Sequence, residues 1–254
     1  MNQLNRIVLC FISLVPLLVV AEDDADILMK QRIDQQQAVS DRHRFDARRD
    51  IARKPYELFQ FLGVRAGMTT LDVGAYAGYT TEMLSAAVGP KGRVYSHNTE
   101  QVLNNFAQGY YKRTMDERLA NNRLPNVVLH IREYDNLGLK GEVDVAFIGN
   151  LLHDFYYRDG EENALRFLQS ISDALKPGGI LGVMDHVGIE AGDNKSLHRM
   201  TPEQARELLE KTGFEIEAES TLFGNPEDDH MIGVYSDAIY LKTDRFLFKA
   251  VKPQ

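Results

Sequence analysis

One cysteine, Cys10, occurs in the 254 residues of this chain. It lies inside an N-terminal apolar run, so everything downstream lacks a thiol. That excludes disulfide cross-links, a cysteine nucleophile and a thiolate metal site from the body of the protein. The G-x-S-x-G elbow of serine hydrolases is missing, and so is the phosphate-binding loop G-x-x-x-x-G-K-[ST]. There is no surplus of basic charge either: 29 Lys and Arg stand against 37 Asp and Glu, a formal net charge of −8. A nucleic-acid partner is therefore not expected, because phosphate backbones are bound by clustered Lys and Arg. A local basic concentration at Arg42, Arg44, Arg48, Arg49, Arg53 and Lys54 is interleaved with Asp41, Asp46 and Asp50. It reads as a solvated, salt-bridged helix face. No internal repeat is present, and low complexity is confined to Gln35-Gln36-Gln37. The composition fits neither a disordered nor a collagen-like chain, and the length suits one α/β domain.

The N-terminus has the layout of an export signal. Arg6 supplies a positive start, Ile7 to Val20 is apolar, and Val19-Val20-Ala21 is a small-residue cleavage pattern followed by Glu22-Asp23-Asp24. The expectation is a signal peptide over 1–21, cut after Ala21, and a periplasmic product with no stable membrane anchor. An uncleaved anchor is the alternative, but the run is short for a bilayer span, which needs about 20 residues. The pattern carries no signal for oligomeric state.

Residues 22–40 are acidic, then glutamine-rich, and read as a tether or loosely held helix. Residues 41–63 read as a helical lead-in with Ile51, Leu58, Phe59 and Leu62 on one face. From Met68 the pattern changes to short apolar runs alternating with amphipathic helices. Strands are expected at Met68–Val73, Arg93–His97, Val127–Ile131, Val143–Ile148 and Ile180–Met184. Helices are expected at Thr80–Val88, over 100–121, and after Asp159, which with Glu162 resembles a capping box; Lys176-Pro177-Gly178-Gly179 ends that last helix. Thr201-Pro202-Glu203-Gln204 opens a further helix as a capping box with proline at its first position. Late strands at Phe214–Ala218 and Arg245–Val251 flank a long polar loop. Five strand–helix alternations imply a parallel sheet with helices on both faces. Ligands of such sheets sit beyond the carboxyl ends of the strands, at the switch point.

The first strand runs into Leu71-Asp72-Val73-Gly74-Ala75-Tyr76-Ala77-Gly78-Tyr79-Thr80. A dinucleotide fingerprint G-x-G-x-x-G is matched only by Gly74. A G-x-G-x-G loop behind an acidic residue is matched by Asp72, Gly74 and Gly78. Later landmarks follow in order: GRVYSHN (92–98), REYDNL (132–137), DVAFIGNLLHDF (144–155) and LKPGGILGVMDH (175–186). On these motifs the chain, from about residue 53 to residue 251, resembles the class I, Rossmann-like S-adenosylmethionine-dependent methyltransferases, and within them a group of exported bacterial proteins. The resemblance implies a doubly wound, mostly parallel seven-stranded α/β sheet over residues 64–254, preceded by the tether and lead-in helix at 22–63.

It also implies roles for particular residues. Asp72, Gly74, Tyr76 and Gly78 would line the methionine and ribose side of S-adenosyl-L-methionine. Asn98 stands where the family has an acid gripping the ribose, with Glu100 as a substitute. Glu133 and Tyr134 would flank the adenine. Asn150, Leu151 and His153 follow the fourth strand, where substrate contacts are expected. Tyr76 replaces a glycine and either stacks on a ligand or blocks the site. His153 and His186, each beside an aspartate at a strand end, are the candidate general bases. Tyr110, Tyr111, Tyr156, Tyr157 and His198 are candidates for lining a small-molecule acceptor's cleft. Asp228-Asp229-His230 has the residue types of a metal site but reads as a structural loop or lid, and no metal is expected. The function implied is methyl transfer to a small molecule. The alternative is an exported, non-catalytic binding protein on the same scaffold.

Overall fold

The computed structural model describes residues 16–254, with side chains from residue 24. The expected signal peptide falls mostly on residues 1–15, outside the described residues. Among the described residues no helix is long and apolar enough to cross a membrane.

The elements, in chain order, are α1 (Pro16–Gln37), α2 (Asp46–Arg53), α3 (Pro55–Leu62), β1 (Thr69–Val73), α4 (Tyr79–Val88), β2 (Arg93–Asn98), α5 (Glu100–Asn104), α6 (Tyr110–Leu119), β3 (Val127–Ile131), β4 (Val143–Gly149), α7 (Leu152–Asp159), α8 (Glu161–Ala174), β5 (Leu175–His186), α9 (Asn194–Leu197), α10 (Pro202–Lys211), β6 (Glu215–Ser220) and β7 (Arg245–Val251). The seven strands form one sheet in the order β3-β2-β1-β4-β5-β7-β6. β1 to β5 are mutually parallel, and β7 runs antiparallel between β5 and β6. The chain reverses its direction of winding between β1 and β4, which opens a crevice at their carboxyl ends.

Period-two alternation explains the layers. Ala146 and Ile148 of β4, Leu181 and Val183 of β5, and Phe246 and Phe248 of β7 join the core under α7, α8 and α10. Val145 and Phe147, Met184 and Leu247 point the other way, into a second core with α1, α3 and α4. Each such Leu, Val or Phe stabilises the fold by about 1.5–3 kcal/mol on burial. A one-residue slip would exchange the two sets.

Four local expectations are corrected. The stretch expected as a tether or loose helix is a docked helix: Met29 and Ile33 of α1 are buried in the second core, and Arg32 donates to the carbonyls of Ala86 and Ala87 at the end of α4. The lead-in is two helices, because Pro55 cannot supply an amide to continue the first. The break falls at Lys54, in a left-handed conformation at φ 40°. The phase is reset there, and Ile51 is 79% exposed while Leu58, Phe59 and Leu62 are buried. Asp159 closes α7 rather than capping α8, whose N-cap is Gly160. The helix expected over 100–121 is interrupted by left-handed Ala107 and Gln108. By contrast the Thr201 and Gln204 capping box forms as its spacing predicts.

The basic face is not simply solvated. Arg42 pairs with Asp50 at 2.8 Å. The fully buried Arg118 bridges Asp46 at 2.9 Å and also pairs with Glu82, which in turn accepts from Arg123 and Gln36. This network ties α1, α2, α4 and α6 together immediately beneath the crevice. Buried charges persist only when matched in this way.

Candidate active site

The loop between β1 and α4 takes three left-handed residues: Gly74 at φ 66°, Tyr76 at 48° and Gly78 at 77°. The positive φ favours glycine at both outer positions, and side-chain ends crowd the same space. A Cβ at Gly74 would lie 2.6 Å from Leu151 Cδ2, and one at Gly78 would lie 2.8 Å from Met115 Cε. At Tyr76 an L side chain is strained, at a cost of about 1–2 kcal/mol. The neighbours impose that conformation. The Tyr76 N–H donates to Asn98 Oδ1 at 2.8 Å, Ala75 N–H donates to the His97 carbonyl at 2.8 Å, and Arg118 Nε donates to the Ala77 carbonyl at 2.7 Å. The N-cap residue Gly78 has no side chain to cap α4, and the Thr81 N–H of its first turn is drawn to the Asp72 carboxylate.

Asp72 closes β1 and is buried. Burial pushes its pKa up to about 6, against the opposing pull of the Thr81 hydroxyl and Arg53. Thr81 donates to its Oδ2 at 2.6 Å. Asn98 is also wholly buried: its Oδ1 is engaged by the loop, and its Nδ2 lies 3.4 Å from the Tyr76 carbonyl. It therefore shapes the loop from behind. Glu100 is exposed and faces a separate hollow with Leu103, Lys112 and Leu129.

A cleft of about 610 Å³ lies above the loop, within the size range of small-molecule and cofactor sites, ~300–1,000 Å³. Tyr76, Glu133, Tyr134 and Leu151, all expected at the site, line it. So do Asp154, expected beside His153 at a strand end facing the cleft, and Thr99, Gln101, Val102, Phe106, Phe155 and Arg158, which sequence reasoning had not singled out for it. Tyr76 does not stand alone: its ring packs 5.1 Å from Tyr111, which stacks at 5.7 Å on Phe106. Asn150 follows β4 in a left-handed conformation at φ 55°, and its buried Oδ1 has no partner. Tyr157 donates to Gln204 on α10, Tyr156 packs against Tyr157, and Tyr110 meets His43.

The two expected catalytic histidines differ. His186 Nδ1 is 2.8 Å from the Thr243 hydroxyl. Although part of its surface stays accessible, desolvation pulls its pKa down to about 3, which suits a neutral support. His153 is buried, with Nδ1 2.7 Å from Asp185 Oδ1 and its own N–H donating to Asp185 Oδ2. Burial lowers its pKa, but Asp185 and Asp154 more than reverse that, so it stands above the ordinary histidine value. Asp185, charged, fixes the proton on Nδ1 and leaves Nε2 as a lone pair. Asp154 Oδ1 lies 3.5 Å from that Nε2 and 3.4 Å from His198 Nδ1. The Asp228-Asp229-His230 run does not gather around an ion. Asp228 is clamped by both terminal nitrogens of Arg199 at 3.0 Å, and His230 pairs with Asp244.

The family model for protein-L-isoaspartate(D-aspartate) O-methyltransferase matches residues 27–132, less than half of the chain and ending before β4. No curated protein matches significantly. Solved structures of the same shape include a SAM-dependent methyltransferase from Aquifex aeolicus (TM-score 0.56, 23% identity, covering 78% of this chain and 89% of that one). A possible exported protein from Bordetella parapertussis is similar at TM-score 0.53 and 15% identity, covering 80% and 68% of the two chains. The [4+2]-cyclase SpnF is similar at TM-score 0.59 and 20% identity, covering 80% of each chain. Its name shows that this scaffold also carries other chemistry. The strand order, the glycine loop after β1 and these likenesses agree: the chain has the fold of the class I, Rossmann-like S-adenosylmethionine-dependent methyltransferases.

Proposed function

We propose that this protein binds S-adenosylmethionine in the cleft above β1, β2 and β4 and transfers its methyl group to a small-molecule acceptor. The observation that carries this reading is the cleft itself. It is lined by Tyr76 from the left-handed glycine loop and by Glu133 and Tyr134, and the unpartnered Asn150 Oδ1 lies next in sequence to its wall residue Leu151. The residues fit the cofactor with one substitution. Asn98 is engaged by the loop, so Thr99 and Gln101, which line the cleft, take over the ribose hydroxyls. Val102 and Phe106 offer an apolar surface to the adenine, with Glu133 placed for its amino group. Asn150 Oδ1 accepts a hydrogen bond from the amino-acid end.

When bound, the cofactor supplies a methyl group activated by a sulfonium. The protein's own task is then alignment, because in-line placement of the acceptor lone pair supplies much of the rate. Leu151, Phe155 and the Tyr76 ring keep water from the methyl. The acceptor enters from the side of Asp154, where His153 is the member of the expected catalytic pair that acts on it and His186 is a support. The family-model match stops before this half of the chain, so protein isoaspartate is not favoured as acceptor over a small molecule. Export to the periplasm remains part of the proposal, on the strength of the N-terminal pattern.

Calorimetric titration of S-adenosylmethionine and S-adenosylhomocysteine tests the reading. Micromolar binding, weakened at least tenfold in Gln101→Ala and Glu133→Ala, is expected. A folded protein that binds neither ligand at millimolar concentration overturns methyl transfer and leaves the non-catalytic binding protein.

A further inference from the structure

We infer that His153, Asp154 and His198 form a site for a first-row divalent transition cation, of the Zn²⁺ type, on the acceptor side of the cleft. Among the described residues, these three bring one ligand atom each to within 4.8 Å of one another. Two of the contacts, 3.5 and 3.4 Å from Asp154 Oδ1 to His153 Nε2 and His198 Nδ1, are long for hydrogen bonds. They match the edge of a tetrahedron around an ion with bonds near 2.0–2.1 Å, about 3.4 Å. The buried His153 Nε2 has no hydrogen-bond partner, and neither has His198 Nδ1. A buried polar atom without a partner calls for an explanation, and a shared cation accounts for both atoms together.

The surroundings are those of a built site. Asp185 holds the far nitrogen of His153 at 2.7 Å, the carboxylate–histidine arrangement that orients metal-binding imidazoles. His198 is the left-handed C-cap of α9. The segments on either side of it are fixed: Asp193 caps α9, Asn194 bonds both backbone groups of Ile189, and Arg199 grips Asp228 and two carbonyls. Two imidazoles and one carboxylate favour Zn²⁺, Fe²⁺ or Co²⁺ over the oxygen-seeking Mg²⁺ and Ca²⁺. Three protein ligands leave a coordination position open, as in catalytic rather than structural sites. Asp154 lines the cleft, so that position opens toward the acceptor.

If the methyl-transfer reading holds, the acceptor is an oxygen nucleophile, a phenol or enol that reaches the cation. Its O–H gives up its proton to solvent on coordination. The oxygen lone pair then forms the new bond to the methyl carbon as the sulfur–methyl bond breaks, with that bonding pair returning to sulfur. His153 then acts as a ligand, not as a base.

The test is Co²⁺ and Zn²⁺ binding to the untagged, chelator-treated full chain. It is followed by visible absorption for Co²⁺ and by calorimetry for Zn²⁺, beside an S-adenosylmethionine titration of the same sample. One equivalent of Co²⁺ bound with four- or five-coordinate absorption supports the site, as does a loss of affinity of at least 100-fold in both Asp154→Asn and His198→Asn. Asparagine is chosen at 198 because it tolerates the left-handed backbone. Asp185→Asn is expected to weaken binding 10- to 100-fold while leaving the stoichiometry unchanged. Absence of Co²⁺ and Zn²⁺ binding at millimolar concentration, or binding unchanged in both ligand variants while they remain folded by circular dichroism, overturns it. Metal binding without cofactor binding sinks the methyl-transfer reading and keeps the site. Cofactor binding without metal binding does the reverse.

Discussion

Asn98 holds Tyr76 in a left-handed backbone conformation by accepting its N–H at 2.8 Å. The residue that the resemblance assigns to the ribose is therefore part of the loop's support. Removing the side chain leaves a backbone donor without its partner in a dry place, at a cost of about 1–3 kcal/mol. Asn98→Ala is expected to lose that much unfolding free energy, seen as a lower urea midpoint, and to bind S-adenosylmethionine several-fold more weakly, because the loop is no longer held. Unchanged stability with lost binding would instead put Asn98 in direct contact with the cofactor.

Asp72 is predicted to be a stability liability kept for binding. Its folded pKa, raised to about 6 by burial, lies above its unfolded value near 3.9. The folded form thus holds its proton more tightly, and stability falls as pH rises from about 4 to 6, then stays level. Asp72→Asn escapes this penalty. Its melting temperature should match the parent's at pH 4 and exceed it at pH 7.5, with a gain of up to about 3 kcal/mol, while cofactor affinity drops. A variant less stable at both pH values would show that the contacts with Thr81 and Arg53 outweigh the cost of burying the carboxylate.

His97 works in the opposite direction. Gly74 N–H lies 3.4 Å from its Nδ1, and its Nε2 is 3.0 Å from the Arg132 carbonyl, so the neutral ring with its proton on Nε2 fits the site. Burial lowers its pKa to about 4, below the unfolded value near 6.5. Its contribution to stability is full above pH 6.5 and is lost as pH falls through 4. The window overlaps that of Asp72, and the two slopes partly cancel in the parent. In Asp72→Asn the acid sensitivity of His97, which His186 shares because burial lowers its pKa to about 3, should therefore stand out, seen as a steeper fall in melting temperature between pH 6.5 and 4 that is reduced when His97 is also replaced. A flatter profile in that variant would contradict the assignment.

The framework was legible where local pattern and burial agree. β7 occupies the expected Arg245–Val251, and the Thr201 capping box forms because its two hydrogen bonds are local. The same reasoning failed at Ile51, where Pro55 resets the helical phase, and at Asp159, where a glycine supplies the turn instead. The cleft was half legible. The resemblance places Glu133 and Tyr134 there, but Gln101, Phe106 and Arg158, which also line it, belong to no motif. His198 lies 45 positions from His153 in the sequence, and no spacing rule links them. Their meeting depends on the segment after β5 folding back over α7, which is fixed by tertiary contacts.

Those contacts give the last prediction. Arg199 and Asp228 are both buried and joined by two hydrogen bonds of 3.0 Å. Burial raises the Asp228 pKa, but Arg199 and the N–H groups of Asp244 and His230 reverse this and hold it below the ordinary value. Arg199 also binds the carbonyls of Val187 and Ile232, so one guanidinium fastens the end of β5 to the loop before β7. Asp228→Ala strands that cation in the interior, at a cost of about 3–5 kcal/mol. If the segment carrying His198 depends on this clamp, amide exchange in 190–200 and 225–235 should accelerate together, while β1 and β4 remain protected. Faster exchange spread evenly over the sheet would mean that the pair supports global stability rather than this one corner of the cleft.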